Sequence, residues 1–127
     1  MEFLKKTQTT KSKGDAAEEV ALAYLQAQGL RLIQRNYRTP GRGGGEIDLI
    51  MQLPDGTVVF VEVRQRASQR FGGAAASVGA VKQRRLIFAA RQYLMRWRRL
   101  PPTRFDVVLV ETEGVQWLQA AFDAGGA

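Results

Sequence analysis

The stretch GEIDLIMQLPDGTVVFVEVRQR, residues 45–66, constrains the fold of this chain more than any other. It holds two runs rich in β-branched and apolar residues on either side of Pro54-Asp55-Gly56. Proline presets the first central position of a type I turn, and glycine accepts the left-handed conformation that follows. Such a turn makes a common three-residue hairpin loop. Leu53 then pairs with Thr57, and counting outward sets Asp48 opposite Glu62 and Glu46 opposite Arg64. Directly opposed residues share a face, with β-carbons about 5 Å apart. One face carries Ile47, Leu49, Met51, Val59, Val61 and Val63. The other carries Glu46, Asp48, Ile50, Phe60, Glu62, Arg64 and Arg66. A slip of one residue would part Asp48 from Glu62.

Two carboxylates set opposite each other repel. Charges are seldom buried unless they are paired or hold a metal. A divalent cation between Asp48 and Glu62 would relieve the repulsion; so would neutralisation by Arg64 and Arg66. Spacing alone does not choose between the two.

Composition narrows the chemistry. The chain has no cysteine and no histidine, which excludes disulfides, thiolate metal sites and imidazole as base or ligand. Any metal must be held by oxygen, which points to Mg²⁺, Mn²⁺ or Ca²⁺. The formal charge of +7 favours a polyanionic partner, most simply nucleic acid. At 127 residues the chain fits one domain. Residues 1–13 read as a flexible basic arm without the apolar segment of a secretory signal, and 14–127 as the single folded domain. No apolar run approaches membrane-spanning length. The expectation is a cytoplasmic protein that does not enter the membrane, with oligomeric state open and a homodimer as one form.

Residues 16–28 read as a helix with Asp15 as N-cap and Gly29 closing it. Ala17, Val20, Ala21, Tyr24 and Leu25 fall on one face, and Glu18 sits at its edge. Asp15 and Glu18 also have the spacing of a capping box, an ordinary explanation for Glu18. Strands are expected at 31–39, 46–53, 57–66 and 104–111, and a second helix at 81–99, stopped by Pro101 and Pro102. Residues 66–80 read as a loop, and 115–122 as a last strand or helical turn. A strand, a helix and another strand in succession imply one parallel crossover on an otherwise antiparallel sheet. The second helix carries many arginines around an apolar stripe of Leu86, Ala90, Tyr93, Leu94 and Trp97. That pattern fits an ordinary solvated helix or a surface that contacts phosphates. GRGGG at 41–45 would let a phosphate backbone approach but lacks the Lys-Ser/Thr ending of a P-loop. Asp106 reads as structural, paired with Arg104 or a loop.

The ordered motifs GEIDLI, FVEVR-x-R, the lysine-led KQRRLIFAARQYL and RFDVV resemble the bacterial YraN family. The resemblance runs from the Glu18 helix to the Trp117 segment. That family is grouped with the PD-(D/E)xK nuclease-like superfamily, which includes Holliday-junction resolvases. It implies an α/β, restriction-endonuclease-like fold, a mixed β-sheet flanked by helices, and Mg²⁺- or Mn²⁺-dependent hydrolysis of DNA, including branched DNA. The alternative is a catalytically inactive nucleic-acid-binding module with the same fold. Carried over by position, Asp48 and Glu62 are catalytic metal ligands, and Glu18 matches an acid on the first helix of the resolvase-like branch. Arg64 stands where the superfamily has lysine. Arginine stays protonated and cannot activate water, but it can stabilise charge on phosphate. Lys82 is a candidate for the displaced lysine. Arg66, Lys82 and Arg85 are the expected nucleic-acid contacts, and Glu46 a supporting acid or a partner of Arg64.

Overall fold

The computed structural model of the chain describes residues 10–41, 44–66 and 78–124. In chain order the elements are α1 (Thr10–Ala27), β1 (Arg31–Arg38), β2 (Glu46–Gln52), β3 (Val58–Arg66), α2 (Ala80–Leu94), β4 (Thr103–Glu111) and β5 (Gly114–Phe122). Residues 1–9 of the expected arm, 42–43 of the glycine run and 67–77 of the expected loop lie outside the described residues.

The five strands form one sheet in the order β1-β2-β3-β4-β5. Only β3 and β4 run parallel, joined across α2, and every other neighbouring pair is antiparallel. This is the single crossover expected from the order of elements. A hairpin connects strands that reverse, whereas parallel neighbours need a long return, here through α2. The 115–122 segment is the strand β5.

The hairpin forms as the turn chemistry dictates. Leu53 N–H donates to Thr57 O at 2.9 Å, and Gly56 has φ 98°. Asp55 Oδ1 accepts from Thr57 N–H at 2.9 Å, which fixes the turn from inside. Pairing then runs from Gln52–Val58 to Leu49–Val61, the expected register.

Each face of the sheet is covered by one helix. Ala21, Leu22 and Leu25 of α1 pack with Leu49, Met51, Val59, Val61 and Val108. Leu86, Ile87, Ala89, Ala90 and Tyr93 of α2 pack with Ile47, Ile50, Val58, Phe60, Phe105 and Val107. Two residues depart from the sequence reading. Val20 is 44% exposed, and Leu22 takes its place in the core. Ile47 lies on the α2 side with Ile50, although strict alternation places it with Leu49 and Met51.

The helix ends differ as well. α1 begins at Thr10, so Asp15 lies within the helix and is not its cap. The capping-box explanation of Glu18 falls with it. At the other end Gly29 has φ 100°, and Leu30 N–H reaches back to Leu25 O at 3.1 Å, the glycine closure expected. α2 stops at Leu94, before the prolines. The N–H groups of Met95, Arg96 and Trp97 each bond three residues back, a tightened last turn. Trp97 thereby packs against the core. Pro102 serves the next strand: its carbonyl accepts Val58 N–H at 2.8 Å. The architecture is an α/β fold, a mixed five-stranded sheet between two helices, consistent with a restriction-endonuclease-like fold.

Candidate active site at a fork between two strands

β2 and β3 part where the charged residues begin. β2 stays paired with β1 as far as Arg38–Glu46, and β3 stays paired with β4 as far as Arg66–Glu111. Between β2 and β3 the pairing stops at Leu49–Val61. The backbone N–H of Val63 instead donates to the side chain of Asp48, at Oδ2, 2.8 Å away. A carboxylate has replaced a backbone carbonyl in the ladder. Across from Asp48 on β1 sits Asn36, between the pairs Arg35–Leu49 and Tyr37–Ile47, with φ 51°. Asparagine is among the few residues that enter the left-handed region readily. This irregularity lies beside the turning of Ile47 to the other side.

Glu62 follows on β3, only 8% exposed. Its carboxyl is pushed up to about 7, first by burial and then by the negative charge of Asp48, against the opposing pull of Lys82 and Arg64. Lys82 Nζ lies 3.5 Å and Arg64 Nε 3.7 Å from Glu62 Oε2. Asp48 is also raised, mainly by burial and then by Glu46, while the Val63 hydrogen bond and Lys82 pull it down. Asp48 therefore acts on Glu62 across the fork, although the β2–β3 pairing ends one residue short of setting the two opposite each other.

Glu18 faces them from α1. Burial, and next the charge of Asp48, raises it to about 7, with Arg35 opposing. Arg35 Nη2 stays 3.9 Å from Glu18 Oε1, while its Nη1 donates to the exposed Glu19 at 2.7 Å. Glu18 Oε1 is buried without a hydrogen-bond partner. Burying a carboxyl oxygen away from hydrogen bonds is costly, and the Arg35 guanidinium offsets part of that cost. Among the described residues no three acids converge on a ready-made metal cage. The donor set suits a hard cation bound by one or two carboxylates and water, the manner of Mg²⁺. Lys82 and Arg64 already supply part of the positive charge on Glu62.

Two clefts flank the fork. One, of about 390 Å³, is walled by Arg38, Lys82 and Arg85 beside Gly44, Gly45 and Glu46. The other, of about 460 Å³, lies between α1 and the same strand ends, lined by Asp15, Glu18, Asn36, Arg38 and Glu46. Gly45 has a packing reason to be glycine: a β-carbon there would overlap the carbonyl oxygen of Arg85. Its N–H donates to Thr39 Oγ1 at 2.9 Å, which ties the loop to β1.

Several expected partners differ. Glu46 lies 3.7 Å from Arg38 Nε, and Arg64 pairs with Glu62. Arg66, expected to meet phosphate, forms an ion pair with buried Glu111. Lys82 and Arg85 stand in the basic cleft. Asp106 is structural as expected: it accepts from Arg104 at 2.9 and 2.8 Å, from Trp117 Nε1 at 2.9 Å and from Ala120 N–H at 2.9 Å. Arg38 and Asn36 were missed by the sequence reading. An asparagine inside a strand was the available signal for the second; nothing local marked the first.

No helix among the described residues is long and apolar enough to cross a membrane. The model of the Uncharacterised protein family UPF0102 matches residues 17–110. A UPF0102 protein of Paracidovorax citrulli (strain AAC00-1) is 69% identical over 117 residues, covering 92% of this chain and 87% of its own length. Another, from Albidiferax ferrireducens (strain ATCC BAA-621 / DSM 15236 / T118), is 72% identical over 116 residues and covered to 91% in both chains. Among solved structures, SSO0001 is similar at 12% identity and a TM-score of 0.46, over 92% of this chain and 55% of that one. The motifs that resemble the YraN family thus mark membership: the chain belongs to the uncharacterised protein family UPF0102.

Proposed function

We propose that the fork is the active site of a metal-dependent nuclease acting on DNA, branched DNA included. The observation that carries this reading is the half-buried Asp48 beside the buried Glu62, two acids brought together where the strands part. Asp48 and Glu62 would hold Mg²⁺ or Mn²⁺, and Glu18 would complete its surroundings from α1 through water. When bound, the cation polarises the phosphoryl oxygen and activates the attacking water. The chain's own residues do the rest. Val63 N–H fixes the orientation of Asp48. Lys82 and Arg64 would neutralise charge that develops on the phosphate. Arg38 and Arg85 line the cleft where a neighbouring phosphate would lie.

One observation favours the rival, an inactive nucleic-acid-binding module. Lys82 and Arg64 already sit within 3.5 and 3.7 Å of Glu62, which lowers the need for a metal. A cleavage panel of single-stranded, duplex, flapped and four-way DNA with Mg²⁺ or Mn²⁺, run beside calorimetric Mn²⁺ titration, separates the readings. The nuclease requires cleavage that is lost with chelator and in Asp48→Asn. DNA binding without cleavage and without Mn²⁺ binding leaves the module.

A further inference from the structure

The outward side of α2 carries an apolar row that neither core uses. Val81, Phe88 and Met95 are 54%, 43% and 76% exposed. They recur every seventh residue, which on an α-helix is within about 20° of two full turns. The three therefore form a line about 21 Å long. Met95 continues the helical path, with φ −62° and ψ −18°. Leu86, Ala90 and Tyr93 point the opposite way, into the core.

Arg84 and Arg91, both exposed, follow Val81 and Phe88 by three residues and run beside the row. From Val63 to Phe105 the sequence contains no aspartate or glutamate. The described acids of α1, Asp15, Glu18 and Glu19, belong to the helix on the other face of the sheet.

Charge and apolarity together select the occupant. A second copy of α2 would set arginine against arginine with no acid to pair. A duplex would satisfy the arginines and leave Phe88 and Met95 against a hydrated sugar-phosphate backbone. An amphipathic helix with an acidic border satisfies both features. We propose that this face docks an acidic amphipathic helix of another protein. Its apolar residues lie along Val81, Phe88 and Met95, and its carboxylates pair with Arg84 and Arg91. The proposal does not depend on nuclease activity.

The test uses the full chain and a fluorescent synthetic peptide of three heptads, leucine at the first and fourth positions and glutamate beside them. A peptide of the same composition in scrambled order is the control. The ordered peptide should bind at least ~10-fold more tightly than the scrambled one. Phe88→Asp and, separately, Met95→Glu should remove that advantage while circular dichroism shows a folded protein. Equal binding of both peptides, or none, overturns the proposal. So does a Phe88→Asp variant that keeps the peptide but loses duplex DNA or phosphatidylserine vesicles, or that dissolves a concentration-dependent dimer.

Discussion

The backbone N–H of Val63 donates to Asp48 Oδ2 at 2.8 Å, so one acid both ends the β2–β3 ladder and is held in place by it. Asp48 thus has two duties that substitution can separate. Asp48→Asn keeps an acceptor for Val63 and loses the charge. Its stability in chemical denaturation should match or exceed wild type, while calorimetric Mn²⁺ affinity falls at least ~10-fold. Asp48→Ala also leaves the buried N–H unpaired, and should cost about 1–3 kcal/mol. A destabilised Asp48→Asn would show that the charge itself holds the fork together.

The acids make stability depend on pH in an unusual direction. Glu18 and Glu62 stand at about 7 in the fold against an ordinary 4.5. The folded state then holds more protons than the unfolded chain between these values, so stability falls as pH rises through that window. Below about pH 4.5 both states are protonated and the cost vanishes; above about pH 7 it is complete. Between about pH 5 and 8 the metal-free protein should lose roughly 1–3 kcal/mol through these groups, allowing for their interaction and partial solvation. Glu62→Gln should flatten the slope. Mn²⁺ should raise the melting temperature near pH 7.5 and do little near pH 5, where protons compete. A Glu62→Gln profile parallel to wild type would remove Glu62 as the source.

Arg64 and Lys82 both approach Glu62, and their substitutions distinguish enzyme from module. In an enzyme, Arg64→Lys should retain cleavage and Lys82→Ala should lower it by about 10²–10³-fold. Duplex affinity should change only a few-fold in both. In a module whose arginine replaces the cation, Arg64→Ala should bind Mn²⁺ more tightly than wild type, because a competing charge is gone. No DNA would be cut by any variant. The cleavage panel and the Mn²⁺ titration read both outcomes.

Binding to DNA should be electrostatic and indifferent to sequence. Log affinity should fall linearly with log salt, by roughly 0.9 per phosphate neutralised on duplex DNA. Arg38→Ala and Arg85→Ala, which remove walls of the basic cleft, should each lessen the slope by about one phosphate. An unchanged slope in both would move the contact elsewhere.

Gly45→Ala should destabilise by about 1–3 kcal/mol, because the added β-carbon meets a backbone carbonyl of α2. Urea denaturation measures the loss. A neutral result would mean that α2 can move away from the strand at little cost.

The hairpin register was legible because it is local. Pro54, Asp55 and Gly56 specify the turn, and a period of two carries the count from Leu53–Thr57 toward Asp48 and Glu62. The parallel crossover was legible from the order of strand, helix and strand. What the sequence left open were matters of contact between distant segments. The start of α1 at Thr10 and the end of α2 at Leu94 escaped local cues. Asp15 resembles a cap and the prolines resemble a stop, but packing of Trp97 and the tightened turn end the second helix earlier. Arg66 looks like a free cation in the sequence, and only the parallel pairing of β3 with β4 brings Glu111 to it. At the fork Asp48 stands in place of a carbonyl on β2, across from Asn36 in a left-handed conformation on β1. Side-chain identity fixes which charges exist. Their burial, and hence the raised acids at Glu18 and Glu62, arises only when two helices close over a sheet that has opened between them.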